Sequence, residues 1–117
     1  MTSKTLRTLD SPGALDELVQ QSQQRPQLLF KHSSACPLSA MAYAELQDHL
    51  EEPVGGADYW LVTVQTARPV SNSVEAQLAV RHETPQAIVV RSGKAVWTAS
   101  HRAITRRSLQ AALSSHT

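Results

Sequence analysis

Leu15, Leu18 and Val19 stand at the i, i+3, i+4 spacing of a helix that buries one face, and Ser11 followed by Pro12 supplies its cap and first position. Before it, "TLRTL" (5–9) reads as a short strand. Beyond Pro26, the apolar run "QLLFKH" (27–32) reads as a buried strand. From Leu38 to Leu50, Met41, Leu46 and Leu50 with several alanines predict a helix, which "EEPVGG" ends. "YWLVTV" (59–64), aromatic and β-branched, is the clearest strand. Ser71 or Ser73 then caps a short helix in which Val74 and Leu78 are i, i+4 partners. "QAIVV" (86–90), the turn "RSG" (91–93) and "KAVWT" (94–98) make a tight hairpin. In the last helix Thr105 is the cap, Ile104 staples onto Leu109, and Leu109, Ala112 and Leu113 form the buried face.

The order is β-α-β-α-β-α-β-β-α. Alternating strands and helices imply parallel pairing through right-handed crossovers, and the final hairpin adds antiparallel strands. This is the order of the thioredoxin fold: an α/β architecture of three layers, a mixed central sheet with helices on both faces. At 117 residues, positions 1–117 are expected to form one such domain, with enough core to need neither disulfide nor metal.

Charge narrows the function classes. Lys and Arg number 11 against 10 Asp and Glu, a balance that gives no reason to expect nucleic acid or an anionic membrane as partner. "MTSKTLRTLDSPG" lacks the apolar segment of a signal peptide, and no apolar run approaches the length of a membrane helix. The single cysteine cannot close an internal disulfide, so a reducing compartment, the cytoplasm, is expected.

That cysteine, Cys36, falls in "FKHSSACPLSAM", where the second strand gives way to the second helix. Unpaired N–H groups and the positive end of the helix dipole gather there and favour an anion. The thiolate is the nucleophilic form of cysteine. Lys31 and His32 add to the effect if they point the same way. Pro37 suits the first helical turn, where its missing N–H is not needed. Ser39 stands where the second thiol of a Cys-x-x-Cys pair would be. Its hydroxyl can donate to the sulfur but cannot form a disulfide, so thiol chemistry would stop at a mixed disulfide with an outside thiol. A lone cysteine is often an inert buried residue. The small polar "SSA" before Cys36 and the proline after it suit an exposed corner better.

"HETPQ" (82–86) is the second constellation. Pro85 lies immediately before a strand, where proline cannot donate to the ladder. In thioredoxin folds a cis-proline here packs beside the active-site cysteine, and the residue before it, here Thr84, offers its backbone to the incoming substrate. A cis Thr84–Pro85 bond is therefore expected.

"FKHSSACPLSAMA", "RPVSNSVEAQL", "VRHETPQAIVVRSGKAVW" and "SHRAIT" together resemble the YtxJ-type proteins of the bacillithiol system, the monothiol bacilliredoxin-like family, from about Leu28 to Leu113. Members more often carry serine where this chain has Thr84, which keeps the hydroxyl. The resemblance implies a thioredoxin fold and a redox role with bacillithiol, a small thiol some bacteria use in place of glutathione, as co-substrate rather than resident cofactor. Cys36 would attack a protein–bacillithiol mixed disulfide, take the bacillithiol and release the protein thiol. By analogy with glutaredoxin-like folds, the bacillithiol malate would be held by Arg102 and the Thr105 backbone N–H, with His101 nearby; the plainer reading leaves the arginines of "HRAITRR" simply solvated.

Other readings stand beside this one. A thioredoxin scaffold kept only for partner docking is one. An iron–sulfur cluster bridged by Cys36 of two chains and two outside thiols is another. The five histidines show no metal spacing, and His32 with Cys36 falls short of the four ligands of a structural zinc site. No glycine-rich phosphate loop is present, and dithiol chemistry is excluded by the cysteine count.

Overall fold

The computed structural model describes residues 6–117. Strand β1 (Leu6–Thr8) leads into helix α1 (Pro12–Gln21), β2 (Gln27–His32), α2 (Pro37–Glu51), β3 (Asp58–Thr63), α3 (Arg68–Leu78), β4 (Gln86–Arg91), β5 (Lys94–Ser100), a 3₁₀ turn (His101–Ala103) and α4 (Arg106–Ser115). The expected order is present. The first strand is shorter than expected, and Thr5 lies outside the described residues. The sheet runs β1-β3-β2-β4-β5, with β1, β3 and β2 parallel and β4 and β5 antiparallel.

Alternation along the central strands divides the interior in two. Leu28, Phe30, Tyr59, Ala87 and Val89 face α2 and α4 and pack on Leu46, Leu109 and Leu113. Leu29, Trp60, Val62, Ile88 and Val90 face α1 and α3 and pack on Leu15, Leu18, Val70 and Val74. The caps follow the sequence at both ends of the chain. Ser11 accepts from the Ala14 N–H at 3.1 Å, and Thr105 and Ser108 close a reciprocal capping box on α4. In the hairpin, Ser92 and Gly93 both have positive φ, 54° and 78°, as a two-residue turn matched to the strand twist requires.

Two expectations fail. Neither Ser71 nor Ser73 caps α3. The helix begins at Arg68 with Ala67 as its uncapped N-cap, because Pro69 in the first turn fixes the backbone earlier. Ser71 is buried inside the helix, and Ser73 Oγ donates back to the Pro69 carbonyl. Met41 is not on the buried stripe of α2. It is 60% exposed, and Ser39, Ala42, Leu46, His49 and Leu50 take the inner face. No helix among the described residues is long and apolar enough to cross a membrane.

A polar pair lies inside the α2 core. His49 Nε2 sits 2.7 Å from the Tyr59 hydroxyl, which also accepts from the Val54 N–H at 3.0 Å. Burial pushes the Tyr59 phenol up to about 12, so it stays protonated. Burial first, and the Arg106 guanidinium second, hold the His49 imidazole below its usual range. The unfolded chain protonates this histidine near pH ~6.5 while the folded one resists, so stability falls as pH drops below that value. His32 and His82 are lowered too and act in the same sense. The urea midpoint is expected to fall between about pH 7.5 and 5.5, and to fall less in His49→Phe. A wild-type midpoint that does not move across this range contradicts the assignment.

Candidate functional site

Cys36 is the N-cap of α2, half-buried, with extended backbone (φ −113°) and Pro37 in the first turn. The Ala40 N–H bonds to its carbonyl at 3.1 Å, so the helix ladder begins at this residue. Its side chain makes no capping bond. The N–H groups of the first turn are therefore not consumed by the thiol and face the space in front of the helix.

The loop before it is held by side chains. Ser39 is fully buried in the first turn of α2. Its hydroxyl accepts from the Ser33 N–H at 2.9 Å and lies 2.9 Å from His32 Nδ1. Gln65, in the β3–α3 loop, accepts from the Ser34 N–H at 3.3 Å and donates to Ser33 Oγ at 2.6 Å. Ser39 thus ties the cysteine loop to the helix, and its hydroxyl turns toward His32 and Ser33 where the sequence suggested the sulfur. Nothing in the sequence marked Gln65, an ordinary polar loop residue.

The two cations placed before the cysteine do not act as expected. His32 lies at 5.0 Å from the Tyr43 ring, and burial pushes its imidazole below the usual range, so it is neutral at pH 7. Lys31 points to the opposite face of the sheet, toward α3, because consecutive strand residues alternate. It is fully buried, and its Nζ lies 3.1 Å from His82 Nδ1. Burial lowers its pKa, against the pull of the Glu75 carboxylate. Neither residue brings a positive charge to the thiol.

The Thr84–Pro85 bond is cis, as expected. Lys31 pairs with Gln86 across β2 and β4, so the register carried one step further sets Pro85 opposite His32, at the strand end that leads to Cys36. The Pro85 carbonyl accepts from the His101 N–H at 3.1 Å. That bond joins the Pro85 segment to the 3₁₀ turn.

A groove of about 250 Å³ runs from the first turn of α2 to that turn, lined by Leu38, Met41, Glu45, His101, Arg102 and Thr105 among others. It brings His101, Arg102 and Thr105 together beside the helix that Cys36 caps. His101 Nδ1 lies 3.5 Å from Glu83 Oε1. Arg102 is exposed, with no ion-pair partner among the described residues. The Thr105 N–H is not free for a ligand. It donates to Ser108 Oγ at 2.9 Å within the capping box. The next N–H of α4, on Arg106, is taken by Glu45 Oε1 at 2.7 Å, and the Arg106 guanidinium pairs with Glu52 at 3.0 Å. An internal carboxylate thus already occupies the start of α4 and offsets the arginines gathered there. No cluster of three or more metal-ligating side chains occurs among the described residues.

Comparison with known proteins bears on the family and the fold. The model of the family described as monothiol bacilliredoxin BrxC matches residues 7–109. A solved structure described as having a thioredoxin fold is similar at 30% identity over 92% of both chains, with a TM-score of 0.80. Malassezia sympodialis thioredoxin matches at 14% identity and TM-score 0.79, over 99% of this chain and 94% of that one. Fasciola hepatica thioredoxin matches at 16% and 0.74, over 96% and 100%. The last two establish the fold alone, which is thioredoxin-like.

Ser39→Ala leaves the Ser33 N–H and His32 Nδ1 without their partner in a part-buried corner. The expected loss of stability is about 1–3 kcal/mol, read from urea unfolding. Ser39→Cys is expected to place a second thiol one helical turn from Cys36 and to allow an internal disulfide, seen as the loss of two titratable thiols on oxidation. A Ser39→Ala protein as stable as wild type contradicts the bracing role.

Proposed function

The chain belongs to the monothiol bacilliredoxin BrxC family, a thioredoxin-fold family of thiol–disulfide redox proteins, and on that footing we propose that it removes bacillithiol from protein–bacillithiol mixed disulfides through Cys36. The observation that carries this reading is the placement of its one cysteine. Cys36 caps a 15-residue helix, is partly exposed, spends no bond on capping, and has a serine where a resolving thiol would stand.

The chemistry is an exchange of one disulfide for another. The Cys36 thiolate attacks the bacillithiol sulfur of the mixed disulfide. A new S–S bond forms between them, the old one breaks, and its electron pair leaves on the target-protein sulfur, which takes a proton from water. Cys36 has no internal partner, so a second small thiolate resets it. That thiolate attacks the bacillithiol sulfur, forms a small-molecule disulfide and frees Cys36. The first-turn N–H groups of α2 stabilise the charge on Cys36 as it enters and leaves the bond. The Thr84 backbone beside Pro85 is the edge against which the incoming chain lies. Bacillithiol carries a malate with two carboxylates, and Arg102, uncommitted in the groove, is its proposed partner through a charge-assisted pair. His101 lines the same wall. The Thr105 N–H, given to Ser108, is left out of this clamp.

Reduced protein mixed with oxidised bacillithiol is expected to gain one bacillithiol by intact mass, and Cys36→Ser to gain none. Oxidised glutathione should modify it more slowly. A wild-type protein that takes up no bacillithiol refutes the proposal. Arg102→Ala is expected to slow transfer from bacillithiol mixed disulfides while leaving reaction with a small uncharged disulfide unaffected. Equal slowing of both, or of neither, removes Arg102 from the site.

A further inference from the structure

Two buried polar side chains sit side by side in the middle of the sheet. Lys31 on β2 and Gln86 on β4 are direct cross-strand partners, fully and almost fully buried. Both reach the short segment before Pro85. Gln86 Nε2 donates to the Arg81 carbonyl at 3.0 Å, and its Oε1 accepts from the Glu83 N–H at 3.4 Å. Lys31 Nζ lies 3.1 Å from His82 Nδ1. His82 Nε2 in turn lies 3.2 Å from Thr84 Oγ1, and the His82 N–H donates to Glu75 Oε2 at 2.8 Å.

The proton inventory of this chain of bonds follows from the charge on Lys31. As an ammonium, which the nearby Glu75 carboxylate favours, Lys31 can only donate, so His82 Nδ1 accepts, the ring proton sits on Nε2 and is donated to Thr84 Oγ1. Only one proton fits the gap between Nζ and Nδ1, so Lys31 and His82 are not both fully protonated in this geometry. The Thr84 hydroxyl, accepting from His82, keeps its own proton to donate. The arrangement is a poor way to gain stability. A buried ammonium loses its hydration, and an apolar residue of similar volume often serves a core as well or better. The groups it holds in place are those of Thr84, next to Pro85 and opposite the end of β2.

We propose that Lys31, buried in the sheet, and the half-buried His82 form a positioning pair that fixes the Thr84 hydroxyl and backbone for the incoming mixed disulfide. The inference rests on the transfer reading above. Lys31 touches no substrate; it acts through His82 and Thr84 from behind the sheet.

The test is a double-mutant cycle on the full chain, with Lys31→Met, Thr84→Val and both together. Transfer from a bacillithiol mixed disulfide is measured beside the urea midpoint and the rate of Cys36 alkylation by iodoacetamide. Each single change is expected to slow transfer by about tenfold and the pair by about tenfold again in total, not a hundredfold, because the two act in series. Lys31→Met should alkylate at the wild-type rate and unfold at the same or a higher urea concentration. By ¹⁵N NMR the wild-type His82 ring should carry its proton on Nε2, and the Lys31→Met ring should show both tautomers. A wild type that takes no bacillithiol refutes the transfer reading and this role with it. An active wild type refutes the positioning alone if Lys31→Met is as fast, if the losses multiply, or if transfer and alkylation fall together.

Discussion

Strand β2 lies between β3 and β4 with both faces covered, so alternation assigns each of its side chains to one core or the other. Leu28, Phe30 and His32 go to the α2 side, Leu29 and Lys31 to the α3 side. A slip of one residue would exchange the two sets and put an ammonium under α2. The site depends on this register. It sends His32 to meet Ser39, sends Lys31 to meet His82, sets Pro85 beside the strand end, and releases the chain into the loop that Cys36 closes.

The electrostatics that result differ from the simplest picture of an activated cysteine. Two basic residues stand close before it in sequence, yet one is neutral on its own face and the other is behind the sheet. What the fold leaves near the thiol is the start of a long helix with unspent N–H donors, a serine used as a brace, and a groove whose exposed arginine has no ion-pair partner among the described residues. Such a site offers one thiol, a polar frame and room for a small anionic group. It has no second sulfur with which to close a disulfide of its own.

Much of the fold was legible from local patterns. Strand and helix order, the Ser11 and Thr105 caps and the hairpin each follow from a few neighbouring residues, though the turn is Ser92–Gly93 with Arg91 still in its strand, and the cis proline followed from the fold that this order implies. What was not legible depended on partners distant in sequence. Lys31 read as a helper of Cys36 by its nearness in sequence, whereas strand alternation sends it and His32 to opposite faces of the sheet. Ser39 read as a donor to sulfur because the Ser33 N–H and His32 ring come into reach only when the loop folds back. The Thr105 N–H read as free because Ser108, at the third helical position, gave no strong sign of a capping box where glutamate or glutamine is usual. Met41 fits an apolar helical stripe by type, yet it is exposed and lines the groove between α2 and the 3₁₀ turn. Gln65 and His82 are polar residues whose roles are set wholly by what they touch.

The central claim is that Cys36 takes the small thiol and leaves the target protein reduced. The direct measurement is a single turnover with a target protein carrying one bacillithiol, both proteins being weighed intact by mass spectrometry as the reaction proceeds. The account predicts that the target loses one bacillithiol and this protein gains it on Cys36, with no covalent complex between the two proteins building up. A disulfide-linked complex of the two proteins with bacillithiol set free, or no change in either mass, would contradict it.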